Sequence, residues 1–170
     1  MNHQNVIRLR AKEIVSHSPG IHLRMLQRLL GVSFTTVRFH VDHLEKNGEI
    51  VRSREYGYSR LFPTGMTDDM KAVCACLQNG TSRKVLQALV DGPQYLMQTD
   101  LSEALRLSKS TTSECIVSLT RVDLVERRFA PDGRVVYDVK DRQRAAQFLA
   151  VFSRNPLDVA SDDLIDLWDI

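Results

Sequence analysis

Cysteine is scarce and odd in number, with Cys74, Cys76 and Cys115 the only three among 170 residues. Such a set excludes the paired framework of a small secreted domain and fits a reducing compartment, so a cytoplasmic location is expected. Long apolar runs are missing too. None approaches the roughly 18 to 20 residues that a membrane-spanning helix needs, and Met1 to Arg10 lacks the apolar centre of a signal peptide. There is no low-complexity tract, and hydrophobic residues at 43% with charged residues at 26% are proportions that bury a core. Catalytic signatures are absent as well: no phosphate-cradling glycine loop, no Ser-His-Asp set in a recognisable context, no metal-binding helix motif. Neither enzymatic activity nor a cofactor is expected. Cys74 and Cys76 lie two apart in a helical segment, where side chains diverge, and no histidine is near them in sequence. They read as small buried thiols rather than metal ligands.

Charge of one sign is also lacking overall, at a net +2, but its distribution is uneven. Up to Gly65 there are ten Lys/Arg against five Asp/Glu; Met66 to Lys140 is balanced at ten each; from Asp141 onward three face six. A surface that faces phosphate belongs in the first third, because cations there release counterions from DNA.

Apolar spacing organises the chain. Ile7, Ala11, Ile14 and Val15 mark a first helix over Val6 to Val15, stopped by Ser18-Pro19-Gly20. Leu23, Leu26, Leu29 and Leu30 mark a second, closed by Gly31. Ser33 is placed to cap a third that runs to Asn47, with Val37, Val41 and Leu44 on its inner face. His40 falls on that inner side. From Glu49 to Pro63, the residues Ile50, Arg52, Arg54 and Tyr56, then Tyr58, Arg60 and Phe62, alternate as a strand, a turn at Gly57 and a returning strand.

The same order recurs about 75 residues later, Leu26, Leu30, Ser33, Val41 and Leu44 falling opposite Leu101, Leu105, Ser108, Ile116 and Leu119. The second copy reads as helices over Thr81 to Val90, Gln98 to Leu105 and Ser108 to Thr120. A hairpin follows over Leu124 to Val139, turned at Pro131-Asp132-Gly133. Thr67 to Gln78 reads as a linker helix, Arg142 to Phe152 as an amphipathic helix and Asp158 to Ile170 as a short acidic one. The expected fold class is mainly α with small β-hairpins (α+β). Its parts are 1–65, a linker helix at 66–80, a second copy at 81–140 and C-terminal helices at 141–170.

The first copy carries Leu26-x2-Leu29-Leu30-Gly31-Val32-Ser33-x3-Val37-x2-His40-Val41-x2-Leu44-x2-Asn47-Gly48, then Ile50-Val51-x-Ser53. This pattern resembles the winged helix-turn-helix of the ArsR and MarR groups of prokaryotic regulators, especially archaeal proteins predicted to hold two such units. The resemblance implies that the third helix enters the major groove of double-stranded DNA, where each base pair shows its own donor and acceptor pattern.

The outward residues of that helix are Phe34, Thr35, Thr36, Arg38, Phe39, Asp42 and His43. Arg38 is the strongest candidate for a guanine contact; Phe39 suits a thymine methyl and packing against the wing or a partner equally well, whereas Phe34 suits such packing better. The first wing offers Arg52, Arg54, Tyr56, Tyr58 and Arg60 for phosphates or a narrow minor groove. The second copy exposes Lys109, Ser110, Ser113, Glu114 and Ser118, and Glu114 would oppose phosphate. With Arg127 and Arg128, and an Asp132-Gly133-Arg134 tip similar to the MarR wing, it reads as an auxiliary contact or an interaction module.

One winged unit reads only a few base pairs, so a homodimer is expected. Arg142 to Phe152 suits either a dimer interface or packing on the second unit. The acidic, apolar end from Ser161 to Ile170 suits docking on a basic groove, on a partner such as the transcription machinery, or over its own core. Sequence-specific regulation of transcription is the leading expectation. A protein-interaction adaptor and a non-specific chromatin-like DNA coat are the alternatives.

Overall fold

The computed structural model describes residues 3–55 and 58–153. It is an α+β fold of helices with two small antiparallel sheets, as the periodicities imply. The acidic segment from Asp158 to Ile170 lies outside the described residues. Two compact units divide between Lys71 and Ala72 and again between Ala150 and Val151, the second unit being Ala72–Ala150.

In the first unit, α1 (His3–His17) is longer at both ends than its apolar stripe predicted. Helix α2 (Leu23–Leu30) closes on Gly31, whose φ of 65° is the left-handed conformation that a Cβ would strain. Helix α3 (Phe34–Lys46) starts from Ser33, whose hydroxyl accepts the Thr36 amide at 3.1 Å and satisfies one of the orphan donors of the first turn. Ala11, Ile14 and Val15 of α1, Leu26 of α2 and Val37, Val41 and Leu44 of α3 meet in one core with Ile21, Ile50 and Leu61. The core thus locks α3 by its inner stripe and leaves its other face to solvent.

The sheet departs from the simple hairpin expected. Strand β2 (Ile50–Ser53) pairs with β3 (Arg60–Pro63) in the register Ile50↔Pro63 to Ser53↔Arg60, so the alternation through Arg54 is not strand. Tyr56 and the expected turn at Gly57 lie outside the described residues. A two-residue strand β1 (Ile21–His22) pairs with the other edge of β3, in the order β1-β3-β2. Two residues carry no period to read, which is why the apolar pattern did not reveal it.

Helix α4 (Asp68–Leu77) contains the unit boundary and buries Val73, Cys74, Ala75 and Leu77. In the second unit, α5 (Gly80–Asp91) is capped by the Asn79 side chain, α6 (Gln98–Leu105) has the expected bounds, and α7 (Lys109–Arg121) is capped by Ser108 as α3 is by Ser33. Its hairpin is β4 (Val125–Phe129) and β5 (Val135–Val139), turned at Gly133 with φ 81°. Leu86, Leu89, Leu101, Leu119 and Val125 are buried there. Between α6 and α7 the second copy buries a hydroxyl pair, Ser102 Oγ to Thr112 Oγ1 at 3.0 Å, where the first has the apolar Val37. Helix α8 (Arg142–Phe152) buries Ala145, Leu149 and Phe152 within a single chain.

Candidate nucleic-acid interface

Helix α3 presents Thr35, Arg38, Phe39 and Asp42 to solvent, with Phe34 at its start 42% exposed and Phe39 54% exposed. Arg38 has no hydrogen bond or ion pair among the described residues, so its planar fork of donors is available. Phe39 leans edge-on against His40, with ring centroids 5.3 Å apart. Thr36 is half-buried and shares a 2.8 Å hydroxyl contact with Ser33, which ties it to the cap. His43 is half-buried, its Nδ1 accepting from the Asn47 amide at 3.1 Å.

His40 is buried, and its Nδ1 has no hydrogen-bond partner. Burial, with the charges of Arg8 and His43, holds its pKa below the usual 6.5. A neutral ring packed in the core is the expected state of this residue.

The wing divides its arginines by role. Arg54 is exposed, without a partner among the described residues. Arg52, in contrast, is largely covered and donates to Asp42 at 2.5 Å and to Glu45 at 3.1 Å, both on α3. Arg60 turns back to donate to the Gly20 carbonyl at 2.8 Å. The structure therefore does not present Arg52 and Arg60 outward with Arg54. The reason is local: β2 packs beside α3, where two carboxylates are within reach of Arg52, and β1 brings Gly20 beneath Arg60. Asp42 is correspondingly occupied. Tyr58 is exposed and meets His22 edge-on at 5.5 Å. The contribution of Tyr56 lies outside the described residues.

Sequence reasoning passed over Arg24 and Arg28. Both are exposed on α2 without a partner among the described residues, and both line a concavity with Phe34 and Tyr58. The available signal was their i, i+4 spacing in a helix with no acidic residue.

The corresponding face of the second unit differs in chemistry. Lys109, Ser110 and Glu114 are exposed on α7, Ser113 and Ser118 are half-buried, and Val117 is 52% exposed where the first unit has Asp42. Arg127 lies over the Phe129 ring at 5.0 Å, and that ring is 68% exposed. Arg128 is bound to Glu126 at 2.5 Å and reaches the Tyr95 hydroxyl at 3.3 Å. At the tip, Arg134 is exposed but paired with Asp132 at 2.5 Å, and that guanidinium holds the Asp132 carboxyl below its ordinary range. Of the three wing arginines, only Arg127 lacks a carboxylate partner among the described residues.

Among the described residues no group of three or more His, Cys, Asp or Glu side chains is placed to hold a metal. Cys74 is buried, which pushes its thiol up to about 12 and keeps it protonated. No helix among the described residues is long and apolar enough to cross a membrane.

Comparison with known proteins places two domains on this frame. Residues 5–73 match an N-terminal HTH domain model and residues 83–128 match the IclR helix-turn-helix domain. The chain is 23% identical over 124 residues to the uncharacterized HTH-type transcriptional regulator MJ1398 of Methanocaldococcus jannaschii, aligning 73% of this chain. It spans 31% of that relative's length. One similar solved structure is the homodimeric winged helix-turn-helix DNA-binding domain of Mb0332 from Mycobacterium bovis, a possible ArsR-family regulator. It has a TM-score of 0.43 and 20% identity, covering 62% of this chain and 96% of that one. Another is the reduced form of the transcriptional regulator YodB from B. subtilis, with a TM-score of 0.44, 21% identity, and coverage of 52% and 86%.

Proposed function

We infer that this chain, which carries two helix-turn-helix domains in tandem, is a DNA-binding transcriptional regulator whose sequence readout is concentrated in the first domain. The observation that carries the reading is the α3 face: an unpaired Arg38 beside exposed Phe39 and Thr35, with the unpaired Arg54 on the adjoining wing. A helix held by its inner stripe and offering an unpaired guanidinium outward suits the major groove, where arginine donates to the two acceptors of guanine. Arg54 suits phosphate or the minor groove. Phe39 suits a thymine methyl.

The second domain has an auxiliary role in this reading. Ser113 and Glu114 stand where the first has Arg38 and Phe39, and a carboxylate facing phosphate is repelled. Exposed Val117 and Phe129 favour a protein contact for that face, in a homodimer or with another component of transcription. Ala146 and Val151 are exposed on α8 among the described residues, which suits a contact with a second copy.

In-vitro selection of duplex DNA with the purified chain tests the proposal. A recovered consensus that is lost on Arg38→Ala, but kept or strengthened on Glu114→Ala, is expected. Equal recovery of random duplexes would point instead to non-specific coating. No duplex binding at low salt, together with a stable protein partner, would favour an adaptor.

A further inference from the structure

We propose a second site in the first domain: a nucleotide-binding pocket formed by the start of α2, the start of α3 and the base of the wing. An open-sided concavity of about 620 Å³ is lined there by His22, Leu23, Arg24, Met25, Arg28, Phe34, Tyr58 and Ser59. That volume is within the range of small-molecule sites, roughly 300 to 1,000 Å³.

Three features of the pocket call for an anion. Arg24 and Arg28 are one helical turn apart and without partners among the described residues, and like charges at that spacing repel. Arg24 is also in the first turn of α2, where the helix dipole opposes a cation, and that turn contains no acidic residue. The helix begins at His22 with no side-chain cap on its amides, a setting that suits phosphate. Each feature is a small penalty in the free protein that one phosphate group relieves.

The rest of the wall selects the body of the ligand. Phe34, Tyr58 and His22 supply ring faces and edges, and Leu23 and Met25 supply aliphatic surface. Burial together with Arg60 lowers the His22 pKa, so near neutral pH its ring is an uncharged stacking surface. A flat aromatic base joined to a phosphate matches both halves: stacking on the rings, the phosphate on the arginines and the α2 amides. The same chemistry is offered by a free mononucleotide and by an unpaired nucleotide of a DNA strand.

Titration calorimetry on the full chain with AMP, GMP, CMP and UMP distinguishes the cases. For at least one free nucleotide, a dissociation constant on the order of 0.1 to 1 mM is expected, with adenosine alone and inorganic phosphate alone each about tenfold weaker. The exposed-site variants Arg24→Gln/Arg28→Gln and Tyr58→Ala should each weaken binding about tenfold, with thermal melting not lowered for Tyr58→Ala and unchanged or raised for the arginine pair, whose repulsion is removed. Binding that is indifferent to both variants, or no saturable binding of any nucleotide and of a short single-stranded oligonucleotide, overturns the proposal. If only the oligonucleotide binds, with the same variant sensitivity, the source is the DNA strand and the free-nucleotide form is overturned. The measurement needs no duplex, so loss of duplex recognition does not alter its result.

Discussion

Arginine shows most clearly that residue type alone does not define an interface. Arg52, Arg54 and Arg60 are equally basic in sequence, yet Arg52 is held by Asp42 and Glu45, Arg60 by Gly20, and Arg54 by nothing among the described residues. An arginine already paired must break that pairing before it meets phosphate. Arg54→Gln is therefore expected to reduce the logarithmic salt slope of duplex binding by about one, and Arg52→Gln to change it far less. Fluorescence anisotropy at several salt concentrations checks this, and equal slopes for the two variants would sink the distinction.

His40 supplies a second expectation at the same scale. Its folded-state pKa lies below the ordinary 6.5, so between the two values the unfolded chain binds more protons than the folded one. Its contribution is fully present above about pH 6.5 and is lost as pH falls toward the lowered value. His22 acts in the same direction. Urea midpoints should drop between pH 7.5 and 5.5, and His40→Gln should flatten that drop while lowering stability throughout. A wild-type midpoint that is level across the interval would contradict this.

Among the elements, α3 and α7 share a frame and differ in their outer faces. Both begin at a serine whose hydroxyl accepts the amide three residues on, Ser33 to Thr36 and Ser108 to Thr111. Replacing either serine with alanine should cost about 1 kcal/mol, read from chemical denaturation. The inner stripes carry more. Leu26 of α2 is fully buried between α1 and α3, and Leu26→Ala should cost ~2–5 kcal/mol and loosen α3 with it. Loss of duplex binding in that variant, recovered on cooling or in stabilising osmolyte, would mark an indirect effect. The outer faces follow a separate logic: Arg38 and Phe39 against Ser113 and Glu114 leave the frame unchanged while altering what it can touch. Arg38→Ala should thus cost ~1–3 kcal/mol in specific binding with no change in the unfolding midpoint.

For the whole molecule, charge is sorted along the chain, the excess of cations lying before Gly65 and that of anions after Asp141. This gradient was legible from composition, as were the repeat, the helices with their serine caps and the α+β class. Local rules govern all of these: apolar spacing, cap chemistry and turn residues act within a few positions of one another. The sequence also determined by itself which side of α3 faces inward, because a helix turns its side chains at a fixed period. Only the tertiary structure decided which polar groups remain unoccupied. Pairings such as Arg52 with Asp42 and Glu45, or Arg60 with Gly20, join residues that no period relates, and the two-residue strand at Ile21 exists only because β3 offers it an edge. The pocket at Arg24, Arg28, Phe34 and Tyr58 likewise draws on α2, α3 and the wing. A chain can announce its helices through local spacing, but which of its charges stay free is settled where separate elements meet.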